Sequence, residues 1–256
     1  VPLTESLKTL LLRGLLAGVL AGLLAATVGY FVGEPKVDAA IAIEEAAAES
    51  HPHTDEPAGH SHDEEEALVS RDGQKAGQFL ALGLAGAAFG VLVGAAVHLL
   101  RRFGTGPLFG LAVALAGWLA VVLVPFFKYP ANPPAVGDPE TINDRTWLWV
   151  AAVLLGLVAV AAAVFGYRLL AGQLRSVRLI GGVAAFVAVV ILGYVLLPGV
   201  NEVSADFPAG LLWEFRVSSL AVSSTLWVAL GLLFAALSEF AAAPRTPVRD
   251  EVATAA

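Results

Sequence analysis

Cysteine and methionine are both absent from the 256 residues. Their absence excludes disulfides, thiolate ligands and thioether ligands, and with them the soft-metal chemistry of Cu(I) and iron–sulfur clusters. Charge is also scarce. Only 14% of the residues are Asp, Glu, Lys or Arg against 57% hydrophobic, and the mean hydropathy is +0.77. So little polar surface cannot close around a water-soluble core, and lipid must supply part of the solvent. No phosphate-binding glycine loop is present, which argues against an ATPase within this chain. A net charge of -7 leaves no basic footprint for nucleic acid, so none is expected as a partner.

What the chain does have is a set of apolar runs of about 20 residues, the length that matches the hydrocarbon thickness of a bilayer. Six occur, at 10–32, 78–100, 107–127, 147–167, 179–197 and 217–237. They lack the period-two alternation of a membrane barrel, so their backbone amides can be satisfied in lipid only as helices. The reading is an all-α integral membrane protein with about six transmembrane helices in a single polytopic domain. The first run follows Lys8 and Arg13 as a signal peptide would, but it exceeds the usual apolar core of about 7–15 residues and is read as a retained helix.

Lys and Arg bias sets the orientation. Lys8, Arg13, Arg101, Arg102, Arg168, Arg175, Arg178, Arg245 and Arg249 fall on one side, which is assigned to the cytoplasm together with both termini. The opposite side holds eighteen of the twenty-two acidic residues in three long extracytoplasmic loops, at 33–77, 128–146 and 198–216. Local function is expected there, in a multi-pass protein of the inner (plasma) membrane. No charged residue lies at the middle of a run, so no midplane proton relay or ion site is apparent. Hydroxyls such as Ser218, Ser219, Ser223, Ser224 and Thr225 and backbone carbonyls remain to line a path. No run carries a paired Asp, a Ser/His pair or a His-x-x-x-His arrangement, so an enzyme is not expected.

Gly14, Gly18 and Gly22 in the first run, and Gly86, Gly90 and Gly94 in the second, form small-residue stripes at four-residue spacing. They can bring these two helices together or hold a second copy in a homo-oligomer. After the first run comes Glu34-Pro35, where proline is expected to break the helix before an amphipathic interfacial stretch that turns Asp38, Glu44 and Glu45 toward water. A simply solvated acidic helix explains the same pattern.

Within 46–77, a stretch whose composition reads as disordered, lie His51, His53, His60 and His62, four of the five histidines. Imidazole beside carboxylate suits a borderline divalent metal such as Co, Ni or Zn and releases it as pH falls. The candidate ligands are these four with Glu34 and Glu44. The fifth, His98, reads as a helix-end residue.

The second long loop is stiffened by Pro125, Pro130, Pro133, Pro134 and Pro139 and carries Lys128, Asn132, Asp138 and Glu140. The third carries Glu202 and Asp206, with Glu214 paired to Arg216 as one expectation. These positions are candidates for a pore mouth, although a stiff structural lid fits them equally well. The third and fifth runs both lead to proline, at Pro125 and Pro198, a faint internal echo.

Several segments together resemble the CbtA family of predicted cobalt transporter subunits. They are the glycine-rich first helix, Glu34-Pro35 with Ala40-Ile41 and Glu44-Glu45, the histidine tract, Lys128-Tyr129-Pro130-Ala131-Asn132-Pro133-Pro134, Leu197-Pro198, Asn201-Glu202-Val203, and Asp206-Phe207-Pro208-Ala209. The resemblance spans nearly the whole chain. It implies bacterial uptake of cobalt linked to cobalamin synthesis, often beside CbtB, a small single-helix subunit with its own histidines. Such proteins are commonly described with five helices, whereas this chain presents six. The metal is then the substrate, with no tightly bound cofactor, and cobalt is named by resemblance alone because nickel binds such ligands more tightly. The competing expectation is a non-transporting membrane scaffold, or a metal or pH sensor acting through the outside loops.

Overall fold

A computed structural model describes residues 5–49, 69–134, 136–137 and 139–242. The tract with His51, His53, His60 and His62 lies outside the described residues, as does Asp138. The described chain is helical, without strands, and six helical rods are long and apolar enough to cross a membrane. The first rod is α1 (Leu7–Val28), a π-helical turn (Gly29–Gly33) and α2 (Glu34–Glu49) in succession. The second is α3 (Arg71–Leu100). The third is α4 (Pro107–Trp118), a second π-helical turn (Leu119–Leu123) and α5 (Val124–Lys128). A short 3-10 turn (Pro139–Thr141) leads into α6 (Ile142–Leu169), followed by α7 (Arg175–Leu196) and α8 (Ala209–Ala242).

Apolar side chains gain little by leaving lipid for one another, so close packing must hold membrane helices together. The glycine stripes supply it. A Cβ on Gly18 would stand 2.0 Å from the carbonyl oxygen of Gly86, and one on Gly90 2.0 Å from that of Gly14. The two backbones therefore touch along the whole crossing, and α1 packs more extensively on α3 than on any other helix. Both stripes are used up within one chain, so they offer no free surface for a second copy. α1 also packs on α8, α8 on α4, and α6 on both the second π turn and α7. Phe234, Leu10, Leu230 and Val97 are fully buried where α1, α3 and α8 meet. At the short-loop face, buried Arg13 pairs with Glu5 at 2.6 Å and donates to Ser238 Oγ at 3.1 Å, which joins the start of α1 to the end of α8.

The expected break at Pro35 does not occur. Proline has no N–H, and its ring collides with the carbonyl four residues back in a regular helix. One extra residue in the turn moves that carbonyl aside: the Glu34 N–H reaches the Gly29 carbonyl, five residues back, immediately before Pro35. The same device precedes Pro125, where the Val124 N–H reaches the Leu119 carbonyl. The internal echo is therefore between the first and third rods. Pro198, by contrast, follows an α7 that has already ended at Leu196. Because α2 continues α1, it is not an interfacial helix, and Glu34 and Asp38 turn toward α3.

Three helices begin earlier than hydropathy alone indicates. Ser70 Oγ accepts the Gly73 N–H at 3.2 Å and Asp72 lies in the first turn, so α3 starts at Arg71. α6 starts at Ile142 and α8 at Ala209, just after Pro208. Arg71, Lys75, Arg145, Glu214 and Arg216, expected in loops, are thus on rigid helix ends, and the tract read as 46–77 is helical at its described flanks.

Candidate functional site

At the long-loop face the carboxylates at the starts of α2 and α8 are engaged by cationic partners. Glu34, 8% exposed, accepts from Arg71 Nη2. Arg71 Nε donates to Asp38 Oδ1 at 2.8 Å, and Lys75 Nζ donates to Asp38 Oδ2 at 3.0 Å. Glu214 pairs with Lys36 rather than with Arg216. Glu44 is exposed on α2. Among the described residues, no three His, Asp or Glu side chains come close enough to hold a metal ion. His98 sits half-buried in the last turn of α3, as its position predicts.

A cavity of about 620 Å³ lies between α3, the second π turn, α6, α8 and the two later loops. Its loop end is built from Tyr129, Asn132 and Glu202, and its deep end from Phe89, Leu226 and Trp227. Trp227 is eleven residues below Arg216 on α8, about 16 Å at 1.5 Å per residue. Phe89 and Trp227 pack ring against ring at the floor, with centroids 4.9 Å apart. Val121 and Val122 belong to the π turn, so the widened helix forms part of the wall. Ser219 and Ser223 of α8 also face the cavity.

Three segments meet at Glu202. Arg145 Nη1 of α6 lies 3.2 Å from its Oε2, and Thr141 Oγ1 donates to its Oε1 at 2.5 Å. Gly137 closes over the pair with φ +117°, and a Cβ there would stand 2.4 Å from Arg145 Nη1 and 3.0 Å from Glu202 Oε2. The backbone conformation requires glycine, and a Cβ would also push the Arg145 guanidinium away from Glu202. Gly137→Ala is expected to lower stability by about 1–3 kcal/mol through strain at that position, read as a lower melting temperature in detergent. On the opposite wall Arg216 donates from Nε to the Ala131 carbonyl at 3.3 Å and from Nη2 to Asn132 Oδ1 at 2.9 Å.

Of the expected pore-mouth residues, Asn132 and Glu202 line this cavity. Lys128 does not: it donates to the Tyr194 carbonyl at 2.9 Å and ties α5 to α7. Tyr129 OH donates to the Pro198 carbonyl at 2.8 Å, and burial pushes its pKa above the usual tyrosine value, so the donor proton stays in place across physiological pH. Asp206 is exposed in the turn before α8, where its N–H meets Ser204 Oγ at 3.3 Å. Glu140 is exposed at the 3-10 turn. By sequence Arg145 and Arg216 fall within the two later loops, at 128–146 and 198–216. Each lies on the polar side of an apolar helical run, a few residues after Pro139 or Pro208, and that proline-to-arginine spacing was the available signal.

Six helices long and apolar enough to span a membrane define a multi-pass membrane protein, with a polar-mouthed cavity between four of its rods. A family model described as probable cobalt transporter subunit (CbtA) matches residues 7–239. The chain belongs to the CbtA family. No curated protein and no solved structure matches it.

Proposed function

We propose that this chain is the membrane subunit of a bacterial cobalt transporter serving cobalamin synthesis, with its long-loop face outward and both termini cytoplasmic. The basic residues of the short-loop face support that orientation. His51, His53, His60 and His62 collect divalent metal at the outer face, with the chemistry of mixed imidazole and carboxylate ligands. Their tract joins α2 to α3, and the first residues of these two helices are bound to each other by the Glu34–Arg71 and Asp38–Lys75 pairs. The observation that carries the reading is the cavity of about 620 Å³ that reaches from the two later loops into the helix bundle. The word subunit in the family description fits a partner protein, for which a small CbtB-type single-helix chain is the proposal.

Radiolabelled Co²⁺ uptake tests this in cells expressing the chain alone and in cells expressing the His51/His53/His60/His62→Ala variant. Saturable uptake that the variant loses at limiting metal and keeps at saturating metal is expected. No uptake above background from either chain would defeat the stand-alone transporter and leave an obligate-subunit or sensor role.

A further inference from the structure

The cavity is poorly suited to a bare divalent ion. Its described lining carries two guanidinium groups, Arg145 and Arg216, against one carboxylate, Glu202, whose two oxygens are already bonded to Arg145 and Thr141. Below that rim the wall is mainly aliphatic and aromatic, and it offers little to replace a hydration shell. Removing water from an ion without paired ligands is prohibitively costly. The size also disagrees. Six waters at about 30 Å³ each occupy under a third of the 620 Å³ available, whereas that volume falls inside the range for organic ligands.

Arg216 gives the chemistry. It lies seven residues into an apolar helix, and its bonds go to two neutral acceptors, the Ala131 carbonyl and Asn132 Oδ1. No carboxylate among the described residues pairs with it. Two of its five N–H donors are used, and its planar fork suits a carboxylate. A cation that lines a largely apolar cavity and is held, among the described residues, by neutral groups alone points to an anionic ligand. Trp149, Phe89 and Trp227 provide flat apolar surface for the rest of such a molecule.

We propose that this cavity binds an organic oxyanion with a flat or apolar body, and that the transported metal occupies it as the complex of such a carboxylate chelator rather than as the hydrated ion. The proposal rests on the reading of the cavity as the seat of the substrate.

Calorimetric titration of the purified full-length chain in nanodiscs of zwitterionic lipid tests it, with Co²⁺ alone, dipicolinate alone and the anionic Co(II) bis-dipicolinate complex as probes. Saturable binding of the complex is expected, weakened about tenfold or more in Arg216→Gln by loss of a charged hydrogen bond, and partly recovered in Arg216→Lys, which restores the charge without the planar fork. The second variant also guards against a fold effect, as does an unchanged melting temperature. Three results would each overturn the proposal. One is absence of saturable binding of the complex. Another is saturable binding of Co²⁺ alone that tightens when Arg216 loses its charge. The third is loss of complex binding when phosphatidylglycerol is included in the nanodisc, which would make the oxyanion site a lipid headgroup's. Because binding is read on the isolated protein, absence of cellular uptake would defeat the transporter reading and leave this result standing.

Discussion

Gly18→Leu is expected to prevent the first two rods from packing and to deplete folded protein from the membrane. A Cβ alone at this position falls 2.0 Å from the Gly86 carbonyl oxygen and 3.1 Å from the Gly90 Cα. These are backbone atoms, so no side-chain rotation relieves the overlap and the helices must separate. Overpacking in a flexible core typically costs about 1–3 kcal/mol, and a rigid backbone crossing sits at or beyond the upper end. The loss spreads because α1 also packs on α8, where Leu10 and Phe234 are fully buried. Thermal unfolding followed by size-exclusion chromatography in detergent checks it. Gly33→Leu is the control, since nothing lies within 4 Å of a Cβ there. An equal loss in both variants would show that close approach is not the cause.

Arg71→Ala is the second large effect. Among the described residues Arg71 is the cationic partner of Glu34, whose side chain is 10% exposed at the membrane edge, and it also bonds Asp38. Removing one member of a fully buried ion pair costs about 3–5 kcal/mol because the other charge is left behind. Arg71 itself is 30% exposed, and water reaching the site reduces the expected loss to about 2 kcal/mol. Glu34→Gln in the same chain should recover most of it, because the stranded charge is removed. A double-mutant cycle by thermal unfolding gives the coupling directly. If the double variant is no more stable than Arg71→Ala, Glu34 is not the group that Arg71 neutralises. The same variants test the place of Glu34 in metal collection. A structural role predicts that metal binding by the histidine tract survives Glu34→Gln with its affinity unchanged.

The two effects differ in how visible they were beforehand. The glycine stripe is periodic within one helix, so its packing use was legible from spacing, and only its partner was open. The Glu34–Arg71 pair was not, because its two residues lie on either side of the histidine tract and meet only where α2 continues α1 without a bend. That continuation depends on the π turn before Pro35. The sequence signal there is a proline alone, which reads as a helix break unless the extra residue in the turn is seen. Pro125 repeats the lesson, since its π turn shapes the cavity wall at Val121 and Val122.

Asn132 and Glu202 were identifiable as polar residues in a stiff loop and a short acidic one, and both line the cavity. Lys128 has the same composition and the same kind of loop position but donates to the Tyr194 carbonyl instead. Composition does not tell whether a side chain at a helix end points into a cavity or into a neighbouring carbonyl. Arg145 and Arg216 were misplaced for a related reason. Hydropathy marks where the apolar run begins, whereas the helix begins earlier, where Ser70, Pro139 or Pro208 sets the chain direction.

By itself the sequence determined the solvent, the number of spans and the family. Each of these is a local property: run length against bilayer thickness, absence of alternation, and motifs a few residues long. The tertiary structure decided which carboxylate meets which cation, that the glycine stripes face each other, and that Arg145 and Arg216 border one cavity. Those outcomes depend on the rotation and register of helices far apart in the chain, so the sequence pattern leaves them open until the helices have packed.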